Sequence, residues 1–319
     1  MEFENNIAVI GDIMLDRFEE GKIAIRKNPE NPDVPIVLAE EKFFLGGAAN
    51  VARNIVSLGA RCDLYGMVGD DLYGHEIARL CDLENIGLKL FFDNKPTILK
   101  ARIFINGEYK HRSDLGETDL KKISLETQEK ILEELKKNIN NYQGIILSDY
   151  NKRIFSYYFT QEIIKLANEH NIPILADPKP ANIDFFKNCS VVCPNKKEAQ
   201  EITGISYFNN EDVLFKIGER IKQRTSSKYI IITCGEDGAY VYYDGKSKME
   251  KTIAKKVVDS TGAGDTYAAV LLCGLASKLD IFKSTEIANI AAGLVVQKYG
   301  TATVSMDEIE RHIGQENPE

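Results

Sequence analysis

The residues best suited to chemistry stand in a short loop in the last quarter of the chain. There the run Gly262-Ala263-Gly264-Asp265 is followed, after Thr266, by the apolar stretch from Tyr267 to Leu275, which has a helical pattern. Glycines at a junction between a loop and a helix let backbone amides point at an anion, which the helix dipole also favours. The first three residues of this run therefore predict an anion hole.

A carboxylate beside an anion hole repels the bound anion. Its presence at that position therefore suggests that the carboxylate has a chemical role. For Asp265 the natural task is to accept a proton from an attacking hydroxyl, which contributes roughly 10²- to 10⁴-fold in rate. The alternative is an ordinary helix cap, with an Asp after a glycine turn. The loop by itself leaves both interpretations open.

Two better-known glycine motifs do not fit. In a dinucleotide-binding fingerprint the third glycine position would be Tyr267, and the loop lies far from the first strand. A P-loop that ends at Gly245-Lys246-Ser247 would place Tyr240 at its upstream glycine position. Both motifs are therefore rejected.

A second group of polar and small residues lies near the amino terminus. Gly46 and Gly47 let the backbone approach a ligand closely, and Asn50 follows in the first turns of a predicted helix. An Asn amide donates and accepts hydrogen bonds at once, which suits a polyhydroxy substrate, although a tight turn explains the same pattern. Asp12 and Asp16, after the first strand, are either hydroxyl-binding acceptors or turn and capping residues.

Asn195 and Glu198 are three residues apart at a predicted junction between a strand and a helix. At that spacing both side chains can face one point, and a few oxygen ligands acting through water usually hold the Mg²⁺ that accompanies nucleotide phosphates. The same spacing also produces a capping box. The pair therefore predicts either a magnesium site or a helix cap.

Alternating strands and helices must position these motifs. The predicted strands are Ile7–Ile10, Cys62–Met67, Gly144–Leu147, Ile174–Asp177, Val191–Cys193 and Tyr229–Thr233. The predicted helices are Ala48–Leu58, Leu72–Asn85, Ser124–Ile139, Ser156–His170, Lys196–Thr203, Val213–Arg224, Gly264–Leu279, Ser284–Tyr299 and Met306–Ile313. This order predicts an α/β fold with a central, mainly parallel sheet flanked by helices, and ligands bind such a sheet where its strands end.

Two stretches interrupt the alternation. Residues 13–45 contain several prolines, and residues 96–113 contain Asn106-Gly107, a hairpin signal between apolar flanks. We expect them to form a small β-rich lid over the edge of the main sheet, where substrate covers are commonly found. The alternative is a set of ordinary edge strands of the main sheet.

Composition excludes several classes of function. Lys and Arg number 40 against 48 Asp and Glu, a net charge of −8, which argues against a broad electrostatic grip on nucleic acid or anionic lipid. The amino terminus lacks a signal pattern, and the apolar runs are far shorter than the ~20 residues of a membrane helix. We expect a cytoplasmic protein with no nucleic-acid or membrane partner, and six scattered cysteines kept as reduced thiols.

Three motifs in order resemble the ribokinase-like (PfkB-type) carbohydrate kinases. They are Gly46-Gly47-Ala48-Ala49-Asn50, then Asn195-x-x-Glu198, then Asp259-Ser260-Thr261-Gly262-Ala263-Gly264-Asp265. The resemblance spans nearly the whole chain and implies one ribokinase-like kinase domain over residues 1–319, with a lid formed by about residues 13–45 and 96–113. Some fused relatives continue into a nucleotidyltransferase domain, so a chain that stops at Glu319 is expected to perform only the kinase step.

Within this family the sequence is most similar to bacterial D-glycero-β-D-manno-heptose 7-phosphate kinases. Segments that carry the closer resemblance include Gly11 to Arg17, Arg26 to Glu30, Leu147 to Lys152, Ala176 to Lys179 and Lys298 to Ser305. The implied reaction phosphorylates the anomeric hydroxyl of the heptose 7-phosphate and gives the 1,7-bisphosphate. The sequence departs from the usual pattern of these kinases by one additional residue in the segment from Asn31 to Pro35. This segment belongs to the expected lid, so the lid's detailed contacts do not follow from the resemblance.

The family resemblance implies roles for particular residues in an ATP- and Mg²⁺-dependent reaction. Asp265 would deprotonate the sugar hydroxyl, and the preceding Gly262, Ala263 and Gly264 would stabilise the transferring phosphoryl group. Asn195 and Glu198 would organise Mg²⁺ through water. The positions implied for the nucleotide are Asn195, Thr233, Gly235, Gly238 and Asn289, and those implied for a monovalent cation such as K⁺ are Asp259, Gly300 and Ser305.

The same resemblance implies how a phosphorylated sugar is held. Its hydroxyls would meet Asp12, Asp16, Gly46, Gly47 and Asn50, whereas its phosphate requires cations. Among five candidate cations we favour Arg26, Lys152 and Lys179, which lie in the resembling segments, over Arg102 and Arg112. A homodimer is implied because lid strands of relatives pair across a dimer.

Three other functions remain open from the sequence. One is a kinase of the same fold for ribose, fructose or a hexose phosphate, and a weaker one is a nucleoside kinase. The third is a sugar or nucleotide sensor that has lost activity, against which the presence of Asp265 beside two glycines argues.

Overall fold

Alternating strands and helices build a nine-stranded sheet in the computed structural model. The structure describes residues 3–117, 123–152, 154–206, 210–252, 257–298 and 300–316. The strands are β1 Asn6–Gly11, β2 Ile13–Ile23, β3 Val37–Gly47, β4 Arg61–Gly69, β5 Gly87–Asp93, β6 Leu99–Ile105, β7 Glu108–Leu115, β8 Gly144–Ser148, β9 Ile174–Asp177, β10 Val191–Val192, β11 Tyr229–Thr233, β12 Ala239–Tyr243 and β13 Lys246–Glu250. The large sheet has the order β13-β12-β11-β10-β9-β8-β1-β4-β5.

Helices cover both faces of this sheet. They are α1 Ala48–Ser57, α2 Leu72–Leu83, α3 Leu125–Asn138, α4 Tyr157–Glu169, α5 Lys196–Thr203, α6 Glu211–Thr225, α7 Ala263–Ala276, α8 Ile281–Val295 and α9 Met306–Glu316. Side chains of β1 alternate between two apolar clusters, with Ile7 and Val9 facing one and Ala8 and Ile10 facing the other. The first cluster includes residues of α1, α2, α7, α8 and α9, and the second includes residues of α3 to α6.

Most strands of the large sheet are parallel. All neighbouring pairs from β11 to β5 run parallel, and β12 and β13 add an antiparallel hairpin at one end. The carboxyl ends of β1, β8, β9, β10 and β11 therefore meet at one edge, as expected for a sheet that binds a ligand there. The predicted central, mainly parallel sheet is confirmed.

Four strands form a second, separate sheet. Its order is β3-β2-β6-β7, with β2 and β6 parallel and the other pairs antiparallel. The tight turn between β6 and β7 is Asn106-Gly107, and both residues have positive φ values of 54° and 80°, as a two-residue hairpin requires. The prediction of a small strand-rich unit is confirmed, and the alternative of extra edge strands in the main sheet is wrong.

Element bounds differ from the sequence prediction mainly at ends and hairpins. The predicted helix Ser284–Tyr299 begins earlier, at Ile281 after the cap residue Asp280, and ends at Val295; Tyr299 lies outside the described residues. The β12–β13 hairpin was not predicted, and its turn contains Gly245, which agrees with the rejection of a P-loop there. All six cysteines are buried and free, which confirms the prediction of thiols.

Among the described residues, no helix combines the length and apolar character needed to cross a membrane.

Candidate active site

Asp265 lies in the first turn of α7, where the structure brings several strand ends together. Gly262 precedes the helix in a left-handed conformation with φ 81°. The carboxylate is 6% exposed, and its pocket is lined by Tyr150 after β8, Asp177 at the end of β9 and Thr233 at the end of β11. The predicted base therefore faces the edge of the sheet that collects strand ends.

Both carboxylate oxygens of Asp265 accept a hydrogen bond. Tyr150 donates its hydroxyl to Oδ1 at 2.6 Å, and Asn50 donates its amide to Oδ2 at 2.7 Å. Burial raises the pKa of Asp265, while these two hydrogen bonds and Lys179 lower it, with a net upward shift. A buried carboxylate with a raised pKa, held by two donors, has the properties of a general base.

Asn50 has a further feature of a ligand contact. Its side chain is 1% exposed, and its Oδ1 is buried without a hydrogen-bond partner among the described residues. Leaving a buried carbonyl oxygen unpaired costs about 1–3 kcal/mol. A substrate hydroxyl would satisfy this atom, and the role of Asn50 in binding the substrate stays a prediction.

The early aspartates separate into two environments. Asp12 lies between β1 and β2, and its carboxylate accepts the backbone N–H groups of Tyr150, Lys152 and Ile154 at 2.8, 3.0 and 3.3 Å. Burial and neighbouring Asp149 raise the pKa of Asp12 to about 7 despite these bonds. Asp12 therefore holds the loop after β8 in place, as the turn interpretation expects. It also lines the cavity that contains Lys152, so its contact with sugar hydroxyls stays a prediction.

Asp16 belongs to the small sheet and remains near the base. Its carboxylate is 5% exposed and pairs with Arg102 at 2.6 Å. It raises the pKa of Asp265 by its charge, so the two carboxylates are neighbours. The backbone of Gly46 packs against Asp16, and Gly47 has φ 59° beside the carbonyl of Asp12. The two glycines therefore bring the early aspartates close to α1, and no ligand is needed to explain their small size.

Asn195 and Glu198 form the capping box of α5. The Asn195 side chain accepts the N–H groups of Lys197 and Glu198 at 2.9 and 3.0 Å, and Glu198 accepts the N–H of Asn195 at 2.9 Å. Glu198 also pairs with Lys179. The capping interpretation is thus realised, and it still leaves the Glu198 carboxylate facing the pocket of Asp265.

The charges around this pocket fit a divalent cation. Asp177, Glu198 and Asp265 line it together, and Lys179 is the cation among its lining residues. Burial raises the pKa of Asp177 to about 8; Lys179 opposes this shift, whereas Glu198 and Asp265 add to it. Burial lowers the pKa of Lys179, but the neighbouring carboxylates outweigh it and the net shift is upward. Mg²⁺ prefers oxygen ligands and usually keeps several of its waters. The described residues contain no group of three or more side chains that would hold a metal ion directly, so this pocket would hold Mg²⁺ through water.

Replacing Asp177 with Asn should flatten the dependence of stability on pH. The pKa of Asp177 is raised from 3.8 to about 8, so the folded state binds this proton more tightly than the unfolded state. Its stabilising contribution is present in full below 3.8 and is lost as pH rises through about 8. As pH rises between these limits, the free energy of unfolding should fall in wild type by at least about 1 kcal/mol more than in the variant. Urea titrations of both unliganded proteins at several pH values measure this difference. Equal slopes for both proteins would contradict the assignment.

A long groove beside α5 and α8 collects the positions expected for a nucleotide. Asn195, Thr233, Gly235, Gly238 and Asn289 all line it, together with Ala263 and Gly264. Residues that the sequence did not indicate also line it, namely Lys196, Lys197, Val257, Tyr267 and Val296. The groove therefore ends at the start of α7, next to the predicted anion hole.

The residues expected at a monovalent cation are only partly brought together. Asp259 accepts the N–H groups of Thr261 at 2.9 Å and Gly300 at 3.1 Å. Ser305 instead makes a reciprocal cap with Glu308, since each accepts the backbone N–H of the other at 3.3 and 2.9 Å. Asp259 and Gly300 thus remain candidates, whereas the hydroxyl of Ser305 serves the start of α9.

The three basic residues predicted to bind the acceptor's phosphate lie in different parts of the structure. Arg26 is exposed in the loop after β2, beyond the end of that strand at Ile23. Lys179 lies beside Glu198 in the pocket of the base. Only Lys152 lies where the small sheet meets the main sheet, in a cavity it shares with Thr97 and Gly116. The contact of Arg26 with a phosphate therefore stays a prediction.

Lys152 has two basic neighbours on the small sheet. Lys100 on β6 experiences the charges of both Lys152 and Arg112, and burial lowers its pKa. Arg112 pairs with Asp114 at 2.7 Å and Lys152 pairs with Glu117 at 2.6 Å, whereas Lys100 has no ion pair among the described residues. The sequence did not indicate Lys100, because a Lys in a strand of alternating pattern gives no signal of its own.

Comparison with known proteins shows which family the chain belongs to. The model of the pfkB family carbohydrate kinase matches residues 4–309. The chain is 36% identical over 306 residues to the bifunctional protein HldE of Aliarcobacter butzleri, a match that covers 95% of this chain and 63% of that protein. It is also 36% identical over 306 residues to the HldE of Campylobacter curvus, with coverages of 95% and 64%. The chain thus spans less than two thirds of the length of these relatives.

Solved structures share the fold at low sequence identity. Escherichia coli phosphofructokinase-2 in complex with potassium superposes with a TM-score of 0.77 at 17% identity, over 96% of this chain and 97% of that chain. Arabidopsis thaliana ribokinase complexed with ribose and ATP gives 0.73 at 19% identity, over 98% of both chains. The fold is therefore ribokinase-like. With the family match over most of its length, the chain belongs to the pfkB family of carbohydrate kinases, phosphotransferases that act on an alcohol group.

Proposed function

We propose that this kinase transfers the γ-phosphoryl group of ATP to the anomeric hydroxyl of D-glycero-β-D-manno-heptose 7-phosphate and gives the 1,7-bisphosphate. The observation that carries the proposal is the buried Asp265 carboxylate, which lies at the junction of the nucleotide groove and the small sheet. Support for the heptose comes from relatives named HldE and from the basic residues beside this junction. In this proposal residues 1–319 act as one kinase domain and the small sheet acts as its lid.

The proposed chemistry uses few groups because phosphoryl transfer depends mainly on positioning and charge compensation. A carboxylate oxygen of Asp265 takes the proton of the acceptor hydroxyl as that oxygen bonds to the γ-phosphorus. The bond from phosphorus to the β,γ-bridging oxygen breaks, and ADP leaves. Backbone amides of Gly262, Ala263 and Gly264, at the start of α7, stabilise the charge on the transferring group. The Ala263 N–H donates to the Ser260 carbonyl at 3.3 Å, and in this proposal it exchanges that long bond for the phosphoryl oxygen.

The nucleotide would occupy the groove lined by Thr233, Gly235, Gly238 and Asn289. Glu198 and the Asn195 turn would hold Mg²⁺ through water, and Asp177 adds a carboxylate to the same pocket. Mg²⁺, when bound, supplies charge compensation for the phosphates. A monovalent cation such as K⁺ would lie near Asp259 and Gly300. The proposal also includes a cytoplasmic location and a homodimer.

The acceptor would lie between Asn50, Asp16 and the basic residues of the small sheet. The unpartnered Oδ1 of Asn50 accepts a hydroxyl in this arrangement, and Asp16 accepts another. Lys152 and Arg112 are paired with carboxylates, whereas Lys100 beside them has no ion pair among the described residues and would meet the acceptor's phosphate. In this proposal Lys100 takes the place of Arg26 and Lys179 of the sequence prediction.

Replacing Lys100 with Met should discriminate against phosphorylated acceptors. Removal of a partly buried ammonium that contacts the phosphate should lower kcat/KM for a sugar phosphate about 10-fold, because a hydrogen bond to a charged group contributes about 1.5–3 kcal/mol. Turnover of the unphosphorylated sugar should change by less than about twofold. Lys42→Met is the matched control, since Lys42 is an exposed lysine of the same small sheet. An equal loss with both acceptors would contradict the phosphate contact.

The substrate is tested by an acceptor panel. Heptose 7-phosphate, hexose phosphates, ribose, fructose and a nucleoside are each incubated with ATP and Mg²⁺, and ADP release is recorded. The proposal expects the highest kcat/KM for heptose 7-phosphate. A preference for an unphosphorylated sugar would indicate another kinase of this fold, and absence of turnover with every acceptor would favour a sensor.

A further inference from the structure

Tyr150 contacts the base directly, although the sequence motifs assigned it no role. Its hydroxyl donates to Oδ1 of Asp265 at 2.6 Å. We infer that Tyr150 is a positioning residue, which fixes the Asp265 carboxylate in one orientation and opposes its protonation by donating a hydrogen bond to its charged form. The inference rests on the proposed function, because it assumes that Asp265 takes the acceptor's proton.

Two donors from different parts of the chain hold the carboxylate of Asp265. Tyr150 follows β8 and binds Oδ1, while Asn50 of α1 binds Oδ2 at 2.7 Å. With one donor on each oxygen, rotation of the carboxylate breaks both hydrogen bonds. Each carboxylate oxygen has two lone pairs, so an oxygen that is already bonded still accepts a proton from a substrate hydroxyl.

Tyr150 is itself held by neighbours from both sheets. Its backbone N–H donates to Asp12 at 2.8 Å. The ammonium groups of Lys100, on the small sheet, and Lys179, after β9, each lie 5.4 Å from the centre of its ring. Burial, followed by the charge of Asp265, raises the pKa of Tyr150 well above its ordinary value. The phenol therefore stays protonated and acts as a donor over the working pH range.

The hydrogen bond limits how strongly Asp265 holds a proton. Burial raises the pKa of Asp265, the bonds from Tyr150 and Asn50 lower it, Lys179 lowers it and Asp16 raises it. The carboxylates of Asp177 and Glu198 line the same pocket. Without the phenol, burial would be less opposed, so the carboxylate would become protonated at higher pH. A more weakly basic carboxylate suits an anomeric hydroxyl, because the ring oxygen makes that hydroxyl more acidic than an ordinary alcohol.

Tyr150→Phe tests the inference in the full-length protein. The variant keeps the ring and its two lysine contacts but removes the donor. We expect kcat to fall about 10-fold, KM for ATP and acceptor to stay within about twofold, and the acid limb of the kcat/KM profile to move to higher pH. Tyr142→Phe is the matched control, because its hydroxyl is also buried and donates to Asp63 at 2.6 Å, away from the site. It should leave the profile unchanged.

Two results would overturn the inference. One is an unchanged acid limb together with kcat within twofold of wild type, and the other is a raised KM for the acceptor at unchanged kcat, which would make Tyr150 a substrate contact. If Tyr150→Phe does not fold, Tyr150→3-fluorotyrosine keeps the hydroxyl and makes it a stronger donor. That variant should move the acid limb to lower pH, and an unchanged limb would overturn the inference.

Failure of the proposed function gives a different result. If wild-type protein phosphorylates no acceptor, the function is wrong whatever Tyr150 does. The Tyr150 contact is then tested by an infrared titration of the carboxylate, with Asp265→Asn identifying its band. Protonation of Asp265 at higher pH in Tyr150→Phe would support the contact, and an unchanged titration would overturn it.

Discussion

Asp265→Asn is expected to lower kcat by about 10²- to 10⁴-fold, the largest effect of any single substitution in this protein. The Asn side chain has nearly the same size, and its oxygen still accepts the hydrogen bond from Tyr150 at the position of Oδ1. Its amide nitrogen takes the place of Oδ2, so the Asn50 amide must turn over and accept through its own Oδ1. The introduced side chain cannot take a proton from the acceptor hydroxyl. Binding of ATP and acceptor should therefore change little, whereas turnover should nearly stop.

The measurement combines initial rates with calorimetric titration of both substrates. Asp184→Asn is the matched control, because Asp184 is an exposed carboxylate paired with Arg224 at 2.6 Å. It should leave kcat unchanged. If Asp265→Asn retains kcat within about tenfold of wild type, Asp265 is not the base. If instead affinity for both substrates is lost, its role is structural.

Gly262→Ala is expected to have the second largest effect. Gly262 has φ 81°, which costs an L-residue about 1–2 kcal/mol. An added Cβ would also lie 3.0 Å from the Asn50 amide nitrogen, which donates to Asp265. The substitution should therefore lower the free energy of unfolding by about 1–2 kcal/mol. It should also reduce kcat about 10²-fold, since a small displacement of reacting groups has effects of that size.

Gly264→Ala is the control for stability in the same loop. Gly264 lies inside α7, and an added Cβ would meet no atom within 4 Å. Its substitution should leave stability unchanged or raise it by up to about 1 kcal/mol. Denaturant unfolding of both variants, followed by rates, measures the two effects. Equal loss of stability in both would contradict the conformational explanation for Gly262.

Local sequence signals predicted most of the architecture. The strands Ile174–Asp177 and Tyr229–Thr233 and the helix Lys196–Thr203 have the predicted bounds, because each lies between clear turn or cap residues. The Asn106-Gly107 hairpin was predicted for the same reason. Hairpins such as β12–β13 were missed, since their alternation is short and mixed with charges.

Contacts between distant parts of the chain were beyond sequence reasoning. Tyr150 and Asp265 are 115 positions apart, and Asn50 and Asp265 are 215 apart. Nothing in a local pattern signals that these side chains meet. Asn50 was identified because it stands in a glycine-rich motif, whereas Tyr150 stands in a polar loop where an aromatic residue has several ordinary roles.

The two early aspartates show why residue type alone was insufficient. Asp12 and Asp16 are both acidic residues after the first strand, but the chain changes sheets between β1 and β2. Asp12 lies at this change and binds backbone N–H groups, while Asp16 lies on the small sheet opposite Lys100. Only the topology distinguishes Asp12, which is bonded to the backbone of a loop, from Asp16, which lies on the small sheet.

Phosphorus NMR of the reaction tests the account most directly. Wild-type protein with ATP, Mg²⁺ and heptose 7-phosphate should form ADP and a new anomeric sugar phosphate in equal amounts, and Asp265→Asn should form neither at a comparable rate. Release of inorganic phosphate in place of a sugar phosphate, or formation of the sugar phosphate at the wild-type rate by Asp265→Asn, would contradict the role of this carboxylate.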